Sequence, residues 1–145
     1  MESYKMNLFE KEVKDLMVDY AKIFIGTPYK WGGSGAGGFD CSGYIQEVLS
    51  CVGLDPRGDQ TAQKLYDHFI KKGKGTGIAK GSLLFWGKSE NKITHVSMAI
   101  DYWHHIEAGG GGKLTVNLRE AQRLGAMVRI RPIKSRKNLF SAIKI

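Results

Sequence analysis

Apolar residues recur every three or four positions along the first half of the chain, the spacing of one buried helix face. The first series follows Asn7, which with Glu10 resembles a capping box, and it ends at the turn over 26–28. A second series covers 41–52 and a third covers 62–70. We therefore predict three amphipathic helices before the middle of the chain.

The second half of the chain changes to short apolar runs that are typical of strands. These runs cover residues 82–86, 94–100, 103–108, 126–130 and 140–145. Helices followed by strands, rather than alternating with them, indicate an α+β fold in which the helices pack on a central antiparallel sheet. We see no internal repeat and no linker, so a single domain over 1–145 is expected.

One of the two cysteines follows a flexible loop. Cys41 comes just after a glycine-rich loop at 31–38 and opens the second predicted helix. Because the N-terminus of a helix favours negative charge, we expect the helix dipole to favour the thiolate of Cys41. Cys51 lies inside the same helix, about 15 Å further along the axis, which is too far for a disulfide. Cys41 is therefore the candidate nucleophile.

A cysteine nucleophile needs a base, and His95 opens the strand HVSMAI. Alternation along a strand puts Val96 and Met98 on one face, which their apolar side chains identify as the core face. His95 and Ser97 then lie on the other face. There, His95 could meet Cys41 across a groove.

The hairpin after this strand decides which residue could orient the imidazole of His95. A turn centred on Asp101 would place His95 opposite Glu107, with His105 on the same face as a reserve candidate. A shift of one residue would bring His104 onto that face and remove Glu107 from it. The pattern of the strand leaves the choice open.

The chain carries a formal net charge of +8, which favours an anionic partner such as a bacterial wall, a membrane surface or nucleic acid. Aromatic residues are not interleaved with the basic ones as a stacking platform would require, so specific nucleic-acid binding is not expected. The cysteines lack the spacing of a structural zinc site. The N-terminus is too charged for a secretory signal, so synthesis in the cytoplasm is expected.

Five segments, in order, resemble the NlpC-type cell-wall cysteine peptidases, a papain-like family. They are GTPYKWGG, FDCSGYIQEVL, GSLLFW, THVSMAI and IEAGG, from about residue 26 to residue 109. The resemblance implies a papain-like α+β fold with the nucleophile at a helix N-terminus. It also implies hydrolysis of a bond in the peptide stem of peptidoglycan, usually the bond after γ-D-glutamate, without metal or cofactor. A monomer is expected.

The same resemblance assigns roles to individual residues. Cys41 would be the nucleophile and His95 the base. Tyr29 would line the site and help to stabilise the oxyanion. Asp40 and Ser42 would hold the substrate, with Asp40 taking a free amine of the stem.

One position departs from the family pattern. The third polar residue of the family is usually His, Asn or Gln, whereas the segment IEAGG places Glu107 there. A carboxylate can also accept the imidazole N–H, and its charge would stabilise an imidazolium. Glu107 is therefore the expected third residue, with His105 and His104 in reserve.

The resemblance and the expected lack of a signal peptide favour a phage endolysin that acts on the wall after release. A delivered antibacterial effector with amidase activity is the second interpretation. A wall-binding or nucleic-acid-binding module without catalysis is the alternative from another class, and the presence of both Cys41 and His95 argues against it.

Overall fold

The computed structural model describes residues 2–35 and 37–145, with side chains described from residue 8 onward. The helices are α1 (Glu2–Ile23), α2 (Cys41–Ser50), α3 (Ala62–Lys72) and α4 (Leu118–Leu124). The strands are β1 (Ser34–Gly35), β2 (Gly38–Phe39), β3 (Leu83–Gly87), β4 (Ile93–Ala99), β5 (His104–Gly109), β6 (Met127–Pro132) and β7 (Leu139–Ile143).

A five-stranded antiparallel sheet forms the centre of this described part of the chain, in the order β6-β5-β4-β3-β7. Helices α2 and α3 pack on β4, and α1 packs on α2. The α+β prediction is confirmed. Val96 and Met98 of β4 are fully buried in the main apolar core against the helices, as the alternation predicted.

Helix α2 is specified almost entirely by local sequence. Asp40 precedes it in an extended conformation, and its Oδ1 accepts a hydrogen bond from the Gly43 N–H at 2.7 Å. The apolar side chains of the helix point into the core, where Tyr44, Ile45, Val48 and Leu49 are fully buried. Gly53 follows at φ +73° and allows the chain to leave the helix.

The predicted start of the first helix is wrong. Helix α1 begins at Glu2, so Asn7 lies inside it rather than before it. Residues 2–6 contain no glycine or proline, and an interior asparagine costs a helix only a fraction of a kcal/mol, about 0.7 at most. Nowhere in the described residues is there a helix both long enough and apolar enough to cross a bilayer.

Helix α4 and the small β1–β2 pair were not predicted. Asn117 caps α4 by accepting a hydrogen bond from the Glu120 N–H at 3.0 Å, and Gly125 ends it in the left-handed conformation. The helix has seven residues, too few to show a helical period clearly. Only its caps could have revealed it.

Candidate active site

A groove of about 620 Å³ opens where the N-terminus of α2 meets the beginning of β4. Its lining includes every residue that was predicted to act as nucleophile, base or substrate contact: Tyr29, Asp40, Cys41, Ser42 and His95. Cys41 is half-buried, and His95 is buried. Residues from separate stretches of the chain therefore meet at one surface.

Close packing between the glycine-rich loop and α2 holds Cys41 in place. The Asp40 N–H donates to the Gly33 carbonyl at 3.0 Å. A side chain at position 43 would collide with that same carbonyl oxygen, so only glycine lets the loop lie this close to the helix. The loop thus forms one wall of the groove beside the first turn of α2.

Burial raises the pKa of the Cys41 thiol to about 11. The backbone N–H groups of Val96 and Ser42 lower it, whereas the charge of Asp40 raises it further. The first turn of the helix thus favours the thiolate, as expected, but burial has the larger effect and the net shift of the Cys41 pKa is upward. Removal of the sulfur from water outweighs the favourable dipole, so burial favours the neutral thiol of Cys41.

The imidazole of His95 bonds to a buried carboxylate behind it. His95 Nε2 lies 2.8 Å from Oε1 of Glu107, and neither side chain is more than 6% exposed. Because an ionised carboxylate only accepts hydrogen bonds, Nε2 carries the proton and Nδ1 is left as the acceptor of the ring. Burial lowers the pKa of His95, although the hydrogen bond to Glu107 opposes this shift. Burial therefore favours the neutral imidazole.

Glu107 stays ionised because several groups surround its carboxylate. Burial opposes its ionisation, but the hydrogen bond from His95 and the contributions of His105 and Arg129 together lower the pKa of Glu107 to about 2. Arg129 stands directly opposite Glu107 in the β5–β6 ladder, and its Nε donates to Oε2 at 3.0 Å. Arg136 Nη1 lies 3.8 Å from Oε1. Sequence reasoning missed both arginines.

The strand register that brings Glu107 to His95 differs from the predicted one. Strands β4 and β5 pair Met98 with Ile106 and Ala99 with His105, two residues away from the predicted pairing. His95 and Glu107 are therefore not directly opposite, and they meet diagonally. Because the displacement is an even number of residues, both side chains remain on one face.

The cause of this register lies in the hairpin connection. Oδ1 of Asp101 accepts hydrogen bonds from the N–H groups of Trp103 and His104, each at 2.7 Å. The Ile100 N–H donates to the His104 carbonyl at 3.0 Å, so three residues form the loop and its centre is Tyr102. The prediction of a turn centred on Asp101 was wrong because the side chain of Asp101 organises the loop from its first position.

Neither reserve histidine is among the described residues that line the groove. His104 is half-buried at the start of β5, beside the hairpin loop, and its Nδ1 lies 3.1 Å from Asp101 Oδ1. His105 is buried, and its Nδ1 bonds to Ser97 Oγ at 2.7 Å. Burial lowers the pKa of His105 to about 4, and its Nε2 has no hydrogen-bond partner in the part of the chain that the structure describes.

The predicted substrate contacts have structural partners of their own. Oδ1 of Asp40 accepts from the Gly43 N–H, which caps α2, and from Ser42 Oγ at 3.3 Å. Burial raises the pKa of Asp40. Tyr29 is buried with its ring against Gly111, and burial together with the nearby Cys41 raises the pKa of its hydroxyl. That hydroxyl therefore remains a hydrogen-bond donor.

Further residues line the groove that sequence reasoning did not select: Trp31, Gly32, Thr61, Ala62, Gln63, Ile93, Thr94, 108–113 and Arg136. The run of glycines at 109–112 was the available signal, since it forms the wall that faces Tyr29. No group of three His, Cys, Asp or Glu side chains within 8–35 and 37–145 is arranged to hold a metal ion.

Comparison with known proteins gives one consistent family. The model of the NlpC/P60 family matches residues 26–130. The gamma-D-glutamyl-L-lysine dipeptidyl-peptidase of Bacillus subtilis (strain 168) is 33% identical over 113 residues, which are 72% of this chain and 32% of that protein. The probable endopeptidase p60 of Listeria grayi is 33% identical over 92 residues, which are 63% of this chain and 17% of that protein.

A solved structure agrees with these relatives. The crystal structure of the NlpC/p60 domain of the peptidoglycan hydrolase SagA superposes with a TM-score of 0.65 at 28% identity. The match covers 91% of this chain and 98% of that one. By contrast, the chain spans about a third or less of the length of the two curated relatives.

Proposed function

The chain belongs to the NlpC/P60 family, as its motifs predicted, and from this premise we propose that it is a cysteine peptidase that cleaves the peptide stems of peptidoglycan. One observation carries the proposal. Cys41 and His95 line the same groove, and an ionised carboxylate, Glu107, bonds to the far side of the imidazole. This is the order of nucleophile, base and orienting acceptor that nucleophilic catalysis requires.

The first proposed step starts from the neutral thiol of Cys41 and the neutral imidazole of His95. In this proposal, Nδ1 of His95 takes the proton of Cys41 Sγ as the sulfur attacks the amide carbonyl carbon. A carbon–sulfur bond forms, and the carbonyl oxygen gains the negative charge. Glu107 holds the ring by its Nε2–H and stabilises the imidazolium, so the charge separation that burial disfavours is confined to this step.

Donors near the sulfur would stabilise the oxyanion. Tyr29 lines the groove and its raised pKa keeps its hydroxyl protonated, and backbone N–H groups lie beside Cys41 at the start of α2. The carbon–nitrogen bond then breaks, and the leaving amine takes the proton from His95. Water, deprotonated by His95, next attacks the thioester, which releases the carboxylic acid and returns the sulfur to its thiol form.

We propose that the scissile bond is the one after γ-D-glutamate. A relative with 33% identity is named as a dipeptidyl-peptidase of gamma-D-glutamyl-L-lysine. A free amine on the acyl side of such a substrate would meet Asp40, whose carboxylate lines the groove with one oxygen fixed by the helix cap. Ser42, the next polar group along the groove, would bind the adjoining peptide.

We place this activity in a phage endolysin that is synthesised in the cytoplasm and acts on the wall after release. The net charge of +8 supports attraction to an anionic wall. Added protein should then clear a suspension of permeabilised bacteria, and the rate should fall as salt screens the attraction. Digestion of purified sacculi without clearing of cells would count against this setting.

The proposed function is tested by digesting purified sacculi and analysing the soluble products by mass spectrometry. New amines and carboxylates within the stem peptides are expected, with glycan strands intact. Cys41→Ala should release nothing, whereas Cys51→Ala, the matched control, should release the same fragments as the wild type. Binding of the wild type to sacculi without any cleavage would instead favour a binding module.

A further inference from the structure

A second cavity, of about 540 Å³, lies between the β3–β4 turn and the segment that precedes β7. We call it the basic cavity. Its polar lining residues are Lys88, Lys92, Thr94, Arg136, Lys137 and Asn138. Four of these six are cations, and no Asp or Glu occurs among the described residues that line it. A concave surface with charges of one sign attracts and concentrates ions of the other sign.

Irregular backbone at the end of β3 builds this cavity. Both ladders of β3, with β4 and with β7, shift register at its last residues. Such bulges redirect side chains and end the pairing. The Gly87 N–H donates to the Asn138 carbonyl at 2.8 Å, and the Lys88 N–H donates to the Lys92 carbonyl at 3.3 Å. The two lysines therefore stand at the two ends of one closed turn.

The basic cavity adjoins the active-site groove. Thr94 and Arg136 line both, while Asp40 and Ser42 are among the described lining residues of the groove alone. Arg136 is half-buried with its guanidinium 5.7 Å from the centre of the Trp86 ring, which limits its freedom. An anion in the basic cavity would therefore lie beside the active-site groove, at a place distinct from the residues assigned to the substrate amine.

We propose that the basic cavity binds the C-terminal carboxylate of the peptide fragment that leaves during cleavage. The inference rests on the proposed peptidase activity. A linear peptide cut at an internal amide yields a leaving fragment with a new amine at one end and a carboxylate at the other. Asp40 would bind the amine of the acyl fragment. The cations of the basic cavity would then bind the carboxylate of the leaving fragment.

The choice of lysines fits this ligand. An ammonium group on a flexible stem can follow a carboxylate over several positions, whereas a fixed bidentate fork would demand one geometry. Stems with free C-termini would consequently be cleaved faster than stems whose carboxylate is blocked in a cross-link. The basic cavity would in this way determine specificity without touching the reacting atoms.

The test compares two stem peptides that differ only in a C-terminal carboxylate or carboxamide. We expect wild-type kcat/KM to favour the carboxylate by about fivefold, and less at high salt. The double variant Lys88→Gln/Lys92→Gln should lose this preference while its rate on the carboxamide stays the same. Lys71→Gln/Lys72→Gln removes the same charge from the exposed end of α3 and should keep the preference.

Several results would overturn the proposal. Equal wild-type rates on the two peptides, or a preference that survives in Lys88→Gln/Lys92→Gln, would mean that the basic cavity does not bind the carboxylate. A double variant that keeps the preference but no longer binds sacculi with phosphate polymers would assign the cavity to those polymers instead. Absence of cleavage of both peptides by the wild type would overturn the proposed function and this inference with it.

Discussion

The two cysteines stand at the two ends of α2 and have very different surroundings. Both are free and half-buried, and burial raises the pKa of both thiols. Both pack against the apolar core, but Cys41 opens the helix in the groove with His95, whereas Cys51 caps the other end near Glu47. A raised pKa is common to both ends, so it does not mark the nucleophile. The difference lies in the imidazole and carboxylate that accompany Cys41.

The largest effect on activity should appear when each of the two cysteines is replaced separately by alanine. Cys41→Ala should lower the rate of stem-peptide hydrolysis on the order of 10⁴-fold, because no other group can form the acyl intermediate. Cys51→Ala should stay within about twofold of the wild type. The rates are measured as release of amines from sacculi, with circular dichroism to check folding. Equal loss in both folded variants would contradict the distinction between the two ends.

Removing the carboxylate behind His95 should have the next largest effect. Glu107→Ala should lower kcat by about 10²-fold, since the imidazole loses both its orienting acceptor and a partner for its positive charge. Glu107→Gln should retain more activity, because an amide oxygen still accepts the Nε2–H. The comparison uses kcat on one stem peptide for both variants.

His104→Ala is the matched control for Glu107, since His104 opens β5 and is not among the described residues that line the groove. It should match the wild type. Thermal melting must accompany these rates, because Glu107→Ala also leaves Arg129 without its carboxylate partner. A fully active Glu107→Ala together with an inactive His104→Ala would assign the third role to His104.

The pH dependence of alkylation should separate a neutral resting thiol from a resting thiolate. In Cys51→Ala, where Cys41 is the one remaining cysteine of the sequence, the rate of reaction with iodoacetamide should rise roughly tenfold per pH unit from pH 7 to 10. The direction follows from the pKa of about 11, below which the unreactive thiol predominates. A rate that is already constant at pH 7 would show that the free protein holds a thiolate.

The smallest effects are expected on stability, when residues at the two ends of α2 are replaced. Asp40→Ala should reduce the free energy of unfolding by about 1 kcal/mol, because the Gly43 N–H loses its acceptor. Asp40→Asn should keep most of that stability, and Ser50→Ala at the other end of α2 should change it by less than about 0.5 kcal/mol. Urea denaturation measures all three. Equal losses in Asp40→Asn and Asp40→Ala would mean that charge, rather than capping, matters.

The elements that the sequence predicts well are those whose signals are local. Helix α2 shows its cap and its apolar face within ten residues, and each strand of the sheet shows as a short apolar run. The face of β4 that carries His95 follows from alternation alone. The register of β4 and β5 cannot be predicted in this way, because it depends on hydrogen bonds that the side chain of Asp101 makes in the hairpin loop.

The rest of the candidate site depends on distant parts of the chain. Arg129 and Arg136 reach Glu107 from β6 and from the segment before β7, and no local pattern links them to it. The pKa of Cys41 likewise depends on how much water the folded chain excludes, which a helix N-terminus alone does not determine. The catalytic roles of these residues remain predictions for the experiments above.

The buried thiol has a consequence for the lifetime of the protein in an oxidising medium. Peroxide attacks the thiolate and converts it to sulfenic acid, from which further oxidation becomes irreversible. A sulfur whose pKa is raised by burial, as that of Cys41 is, forms little thiolate at neutral pH and reacts slowly with such oxidants. We therefore expect slow oxidation of Cys41 at neutral pH, with the greatest risk during turnover, when His95 holds the proton.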